Sequence, residues 1–281
     1  MREVTAGQIT DLVAKLYQDA NFFLPDEVTT AFEDALTREQ SPLGREVLAS
    51  LIENAGIAAS DRVPLCQDTG MAVVFAAVGQ EVAITGGNLR EAVDIGIDRA
   101  FREGYLRASI VAHPCFERDN TGDNTPAVLH VELVAGDRVN ITVLPKGAGS
   151  ENAGRIAMLK PGDGAAGLAD FVVETVDMNG ARACPPLFLG IGVGGTMDQA
   201  ALLSKQALLR PAGAAGADAG LAELEQEILE RVNDLGIGPG GYGGTVTCLG
   251  VTIESYPCHI SSLPVAVNIQ CHAARQAGGV L

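Results

Sequence analysis

The chain has 281 residues, enough for one large domain or two small ones, and its 47% hydrophobic and 19% charged residues exclude intrinsic disorder as its general state. Its 35 acidic and 19 basic residues leave a net charge of −16, which opposes the counterion release behind nucleic-acid binding; four lysines against fifteen arginines leave no basic amphipathic stretch for a membrane surface. No segment approaches the roughly 18 consecutive apolar residues of a membrane span, and Met1 to Asp11 holds no signal-peptide core, so a cytoplasmic protein is expected.

Helical periodicity occurs three times in the first sixty residues: Ile9, Leu12, Val13 and Leu16; Val28, Ala31, Phe32, Ala35 and Leu36; and Leu43, Val47, Leu48, Leu51 and Ile52. Pro25 precedes the second helix, and Ser41-Pro42 gives the third an N-cap followed by proline at the first helical position. A helical part at about 1–58 is therefore expected. After a loop at Ser60 to Gly70, the apolar, β-branched run Met71 to Val78 predicts a buried strand. Asn88, with Glu91 three residues on, caps a helix whose apolar face holds Leu89, Ala92, Val93, Ile97 and Ala100.

Residues 126–145 are expected to form a hairpin, with Leu129, Val131 and Leu133 alternating, a turn at Gly136-Asp137, then Val139, Ile141 and Val143. A helix at 163–177, a strand at Leu187 to Val193 and a helix capped by Thr196 with Gln199 follow. The alanine- and glycine-rich stretch 211–220 reads as a surface loop. Leu221, Leu224, Ile228, Val232 and Leu235 mark the last long helix, ended by the glycine-rich turn Gly236 to Gly244, before strands at 246–254 and 263–270. Without a strict βαβ alternation this is an α+β fold: N-terminal helices, then a mixed, largely antiparallel sheet with flanking helices. The segment after 211–220 is too short to bury its own strands, so residues 1–281 are expected to form a single domain.

Gly190-Ile191-Gly192-Val193-Gly194-Gly195 satisfies G-x-G-x-x-G between a strand and a helix, but the acidic strand end expected about 20 residues on in a dinucleotide site is replaced by the loop 211–220. Close backbone packing is the simpler account. Six cysteines without a secretory signal favour thiols over a disulfide framework. Cys66 and Cys184 stand at strand entrances, and Cys271 is in period-two register with Val265, Val267 and Ile269. Antiparallel strands could gather them, yet the wide spacing of the three does not show convergence, and on that evidence alone inert buried thiols are favoured. His113 near Cys115, His259 beside Cys258 and His272 beside Cys271 keep a zinc site open, although neighbours on a strand point to opposite faces. His130 reads as an exposed strand histidine, and Cys115 and Cys248 as packing residues. In so acidic a chain an anion needs a local cationic clamp; Arg107 is the candidate, with a surface salt bridge as its ordinary alternative.

Four longer stretches form a pattern: Pro64-Leu65-Cys66-Gln67-Asp68-Thr69-Gly70, Asn120-Thr121-Gly122-Asp123-Asn124-Thr125-Pro126, Lys146-Gly147-Ala148-Gly149-Ser150-Glu151-Asn152, and Leu263-Pro264-Val265-Ala266-Val267-Asn268-Ile269-Gln270-Cys271-His272. Together with Cys184-Pro185-Pro186 and Gly190 to Thr196, they resemble the alpha subunit of class I, iron–sulfur fumarate hydratases. The resemblance implies a [4Fe-4S] cluster held by Cys66, Cys184 and Cys271, with one iron left open as a Lewis acid for the reversible hydration of fumarate to L-malate. It further implies that Gln67, Arg107 and Gly149 bind a small dicarboxylate, and that Asp68 and His259 transfer protons or orient water. Single-chain relatives carry a second domain that completes the site, so a separate beta subunit, in an alpha2beta2 assembly, is expected. His113 stands where many relatives have aspartate, and Met71 where small residues are common, while the run Thr121 to Pro126 favours fumarate over the alternatives tartrate and mesaconate. A non-catalytic zinc-binding or structural subunit is the competing class.

Overall fold

The computed structural model describes residues 1–211, 214, 216 and 218–281. In chain order the elements are β1 (Arg2–Thr5), α1 (Ala6–Phe22), α2 (Asp26–Arg38), α3 (Pro42–Asp61), β2 (Met71–Gly79), β3 (Val82–Thr85), α4 (Leu89–Glu103), β4 (Val128–Val134) and β5 (Val139–Lys146). Then come α5 (Ala148–Glu151), β6 (Arg155–Leu159), α6 (Gly164–Asn179), β7 (Leu187–Gly194), α7 (Met197–Ala207), α8 (Ala219–Asn233), β8 (Cys248–Tyr256), β9 (Leu263–Gln270) and β10 (Ala277–Val280). The expected α+β class is what the structure shows. Of the expected loop 211–220, residues 212, 213, 215 and 217 lie outside the described residues, and α8 already begins at Ala219. Among the described residues no helix is long and apolar enough to cross a membrane.

The residues divide into two compact units, each assembled from segments distant in sequence: 1–25, 54–148 and 275–281 in the first, 26–53 and 149–274 in the second. Each has its own apolar core. In the first unit the buried face of α1 (Ile9, Val13, Tyr17, Ala20) meets Val93, Ile97 and Ala100 of α4. The helices approach so closely that a Cβ on Gly96 would lie 2.9 Å from Thr10 O. Thr5 and Gln8 close a capping box at the start of α1, and Asn88 Oδ1 accepts the Glu91 N–H at 2.8 Å at the start of α4.

The sheet of the first unit has the order β10-β5-β2-β4, with β4 parallel and β5 antiparallel to β2; β1 pairs with β3 in a separate parallel ribbon. The expected hairpin at 126–145 is therefore corrected. Its two strands exist, but β2 lies between them, and residues 135–138 pass over the end of β2 instead of forming a two-strand turn. Gly79 permits the crossing: a Cβ there would be 2.3 Å from Gly136 O, while Gly79 N donates to Arg138 O and Glu81 N to Gly136 O. Val139, Ile141 and Val143 are fully buried, whereas Val131 (52% exposed) and Leu133 (69%) lie on an outer strand.

The second unit holds a sheet of order β6-β9-β7-β8, with β9 antiparallel to β6 and β7 and β8 parallel to β7. One face packs Leu187, Leu189, Ile191, Val267 and Ile269 against Val172 and Val176 of α6 and Ile228 and Val232 of α8. The other receives α7 at a distance only glycine allows: a Cβ on Gly190 would be 2.2 Å from Ser204 O, and one on Gly192 2.0 Å from Ala200 O. The G-x-G-x-x-G run thus serves helix–strand packing. The Thr196–Gln199 cap does not form; Thr196 Oγ1 donates to Asp198 Oδ1 instead. Ser41 caps α3 as expected, accepting the Gly44 N–H at 3.2 Å. The end of α2 is tied to the start of β8 by Glu39, a buried carboxylate that accepts backbone N–H groups of Ser41, Thr245 and Val246 at 2.7 to 3.0 Å.

Candidate active site

In the first unit the loop Cys66–Gly70 is anchored before it begins, because Leu65 N donates to Asn21 O and Asn54 Nδ2 to Leu65 O, both at 2.9 Å. Asp68 is then held at both oxygens: Oδ1 accepts Gly70 N at 3.1 Å and Oδ2 accepts Ala148 N at 2.8 Å. A carboxylate caught by two backbone donors has a fixed direction. Thr69 is buried, and its Oγ1 both donates to Arg107 O and accepts Arg107 N at 3.0 Å, so the segment carrying Arg107 is locked to the Asp68 loop. The Arg107 and Gln67 side chains are exposed. Gly70 has φ +80° and no room for a side chain, since a Cβ would lie 2.8 Å from Lys146 N. Cys66 is half-buried.

Further residues that periodicity did not single out complete this arrangement. Tyr17 places its hydroxyl 3.0 Å from both Thr69 O and Gly70 O. Burial pushes its phenol well above the usual tyrosine range, opposed by the charge of Arg275 and reinforced by that of Asp68. Asn124, fully buried, accepts Ser109 N at 2.8 Å and donates to Gly70 O at 3.2 Å. Burial disfavours ionisation of nearby Asp123, yet hydrogen bonds from Thr125, whose N lies 2.9 Å from Oδ1, keep its carboxyl below the ordinary range. Asn21 accepts Arg275 Nη1 at 2.9 Å. Asp123 and Asn124 lie in the stretch Asn120 to Pro126 that forms part of the sequence pattern, whereas for Tyr17, Asn21 and Arg275 the only sequence signal was a polar side chain among largely apolar neighbours.

In the second unit Cys184 and Cys271 lie at the same end of the sheet, since β7 starts where the antiparallel β9 ends, with Phe188 opposite Gln270. His272 joins the two turns: its N–H donates to Cys184 O at 3.2 Å, and its Nδ1 lies 3.2 Å from the same oxygen, so Nδ1 carries a hydrogen. Cys184 is exposed and held in the left-handed region (φ 55°, ψ 69°), a conformation that costs a non-glycine residue about 1–3 kcal/mol. Strain of that kind persists only where the surrounding chain over-determines it. Cys271 is half-buried. Gly149 is exposed, and its Cβ position is 3.8 Å from the carbonyl of Arg182 in the turn leading to Cys184. Glu151, two residues on, is gripped by Lys205 at 2.6 and 2.7 Å.

His259 stands elsewhere. It lies in the connection between β8 and β9, beyond the pair Gly194 and Tyr256, at the sheet end opposite Cys184; the length of β7 separates the two ends by on the order of 20 Å. Its Nδ1 accepts from Ser261 N at 3.2 Å and meets Ser261 Oγ at 2.7 Å, which leaves the hydrogen of a neutral ring on Nε2. Open apolar cavities of about 370 and 430 Å³ flank it, walled by Leu168, Val193 and Leu224 on one side and by Met158, Met197 and Tyr256 on the other.

Among the described residues the six cysteines form no disulfide, and no group of three or more His, Cys, Asp and Glu side chains converges as around a single metal ion. Cys248 is inert: burial pushes its thiol up to about 12. Cys115 is exposed rather than a packing residue, and His130 is half-buried, stacked 5.0 Å from Phe75 rather than freely solvated. The residues do suit an iron–sulfur group in donor chemistry, because soft thiolates are its usual ligands and two accessible thiols share one sheet end.

Residues 10–280 match the family described as fumarate hydratase (Fumerase). A chain from Methanocaldococcus jannaschii, provisionally named L(+)-tartrate dehydratase subunit alpha, is 42% identical over 275 residues and covers 96% of each chain. The L(+)-tartrate dehydratase subunit alpha of Escherichia coli is 32% identical over 279 residues, spanning 98% of this chain and 91% of its own. On a match that runs almost from end to end, this chain belongs to the fumarate hydratase (Fumerase) family of hydro-lyases.

Proposed function

We propose that residues 1–281 act as one functional domain, the cytoplasmic alpha subunit of a [4Fe-4S] hydro-lyase that reversibly adds water to fumarate to give L-malate. The family match over residues 10–280 carries this reading. Cys66, Cys184 and Cys271 would supply the three thiolates, and a bound cluster with one iron lacking a protein ligand would contribute Lewis acidity. The chain's own residues supply the rest. The exposed Arg107 guanidinium suits a substrate carboxylate, for which it offers paired donors. Gln67 and the backbone N–H of Gly149 add further donors. Asp68 would take or orient a proton of the water that adds, a role supported by the fixed direction that two backbone N–H groups give its oxygens.

His259 enters differently. Since it stands at the far end of the sheet from its own Cys184, its proposed part in proton transfer is played at the site of a second copy within an alpha2beta2 assembly. The beta subunit follows from relatives named as alpha subunits. A second reading, dehydration of L(+)-tartrate, is favoured by those same names.

The test is anaerobic co-production with the beta subunit, analysis of iron and acid-labile sulfide, and rates on fumarate, mesaconate and L(+)-tartrate. About four irons and four sulfides per chain, lost in Cys184→Ser, with fumarate the fastest substrate, is the expected result. Dominant tartrate turnover selects the second reading. A Cys184→Ser enzyme with full cluster content and activity overturns the ligand set.

A further inference from the structure

Arg275 is 1% exposed and heads, by size, the fully buried side chains among the described residues. The partner of its Nη1 is the neutral amide of Asn21, and its Nε has no acceptor among the described residues. A guanidinium keeps its charge at every ordinary pH, so a buried one requires a counter-charge in its surroundings. Gly147 shows where that charge lies. A Cβ added to Gly147 would sit 3.1 Å from Asp68 Oδ2 and 3.8 Å from Arg275 Nη2, so the carboxylate and the guanidinium both border the one small space that the glycine leaves open. The buried Tyr17 phenol beside them senses both charges, with opposite sign. All these residues lie within the first unit.

We infer that Arg275 is a positioning residue for Asp68: its buried guanidinium is the counter-charge that, across Gly147, keeps the Asp68 carboxylate in the orientation set by Gly70 N and Ala148 N. The catalytic consequence rests on the hydro-lyase reading above; the electrostatic coupling does not. Arg275 is assigned no contact of its own with substrate or cluster ligand. It acts through the carboxylate, and by tying the segment before β10 to Asn21 it makes that carboxylate's position depend on the end of the chain.

Two measurements decide the matter. The first is a double-mutant cycle on the full chain without substrate, using Arg275→Met, Asp68→Asn and the pair, read from urea unfolding. If the two charges are coupled, the second substitution costs about tenfold less in the folding equilibrium once the first is present. Additivity to within about twofold overturns the inference. The second compares Gly147→Ala and Arg275→Lys in the assembled enzyme. The alanine keeps every charge but crowds the carboxylate; kcat is expected to fall about tenfold with KM within about twofold, while Arg275→Lys retains most of kcat. Wild-type kcat in Gly147→Ala overturns the inference, and this readout stands even if Arg275→Met fails to fold. A wild-type assembly without hydration activity would fault the functional reading instead, leaving the cycle to judge the coupling.

Discussion

The loop carrying Asp68 and the loop carrying His259 are held in opposite ways. Tyr17, Arg107, Asn124 and Ala148 reach the Asp68 loop from 38 to 80 residues away in sequence. The hydrogen bonds within the His259 loop run to Ser261 and Ser262 from residues only two to four positions away. The first arrangement is paid for by folding of the whole unit and gives a side chain one direction; the second leaves a short turn that a neighbouring surface can reshape at little cost. Chemistry that needs a fixed carboxylate suits the former, and a group completed on assembly suits the latter.

Three substitutions sharpen that contrast. The largest effect is expected where long-range anchoring is densest. Glu39, at the end of α2, reaches Thr245 and Val246 more than 200 residues away. Burial disfavours its charge, but the N–H donors of Ser41, Thr245, Val246 and Gln40 outweigh it and hold the carboxyl below its ordinary value. A depressed folded-state value means stability that is present above the unfolded value, about 4.5, and is lost as pH falls through the folded one. Glu39→Gln should lower stability by about 3 kcal/mol at neutral pH and flatten its fall in acid. An unchanged urea midpoint would show the anchor to be dispensable.

Next, Tyr17→Phe removes the hydroxyl donor to Thr69 O and Gly70 O, and a cost of about 1–3 kcal/mol is expected, accompanied by lower activity. If thermal stability and kcat both stay at wild-type level, the Asp68 loop does not depend on its distant partners. The smallest effect is expected for Ser261→Ala, which removes a purely local contact of His259: within about 0.5 kcal/mol in the isolated chain. A larger loss there would erase the distinction between the two loops.

The helices were legible in the sequence because caps and periodicity are local: Ser41-Pro42 and Asn88 mark the starts of α3 and α4, which begin at Pro42 and Leu89. Strands of four or five residues, β1, β3, β6 and β10, are too short for alternation to announce them. The hairpin expected at 126–145 failed for another reason: alternation shows that two strands exist, not that a third inserts between them. In the candidate site, the proposed cysteines and Asp68 were readable as parts of sequence motifs. Tyr17, Asn21, Asn124 and Arg275 were not read as parts of one network, because a polar residue on an apolar helix or at a strand approach declares its partner only when the chain has brought that partner from far away.

The passage of residues 135–138 over Gly79 also bears on how the chain reaches its native state. A β4–β5 hairpin formed early would have no gap for β2, so the local route to this sheet is closed. Val73 must instead find Val128 and Leu144, 55 and 71 residues onward, before β4 and β5 are in place on either side of it. Assembly of the first unit is thereby governed by non-local pairing, which is intrinsically slow, and until it is complete the apolar side chains of β4 stand beside an unfilled strand position, a period in which the nascent chain is prone to aggregate.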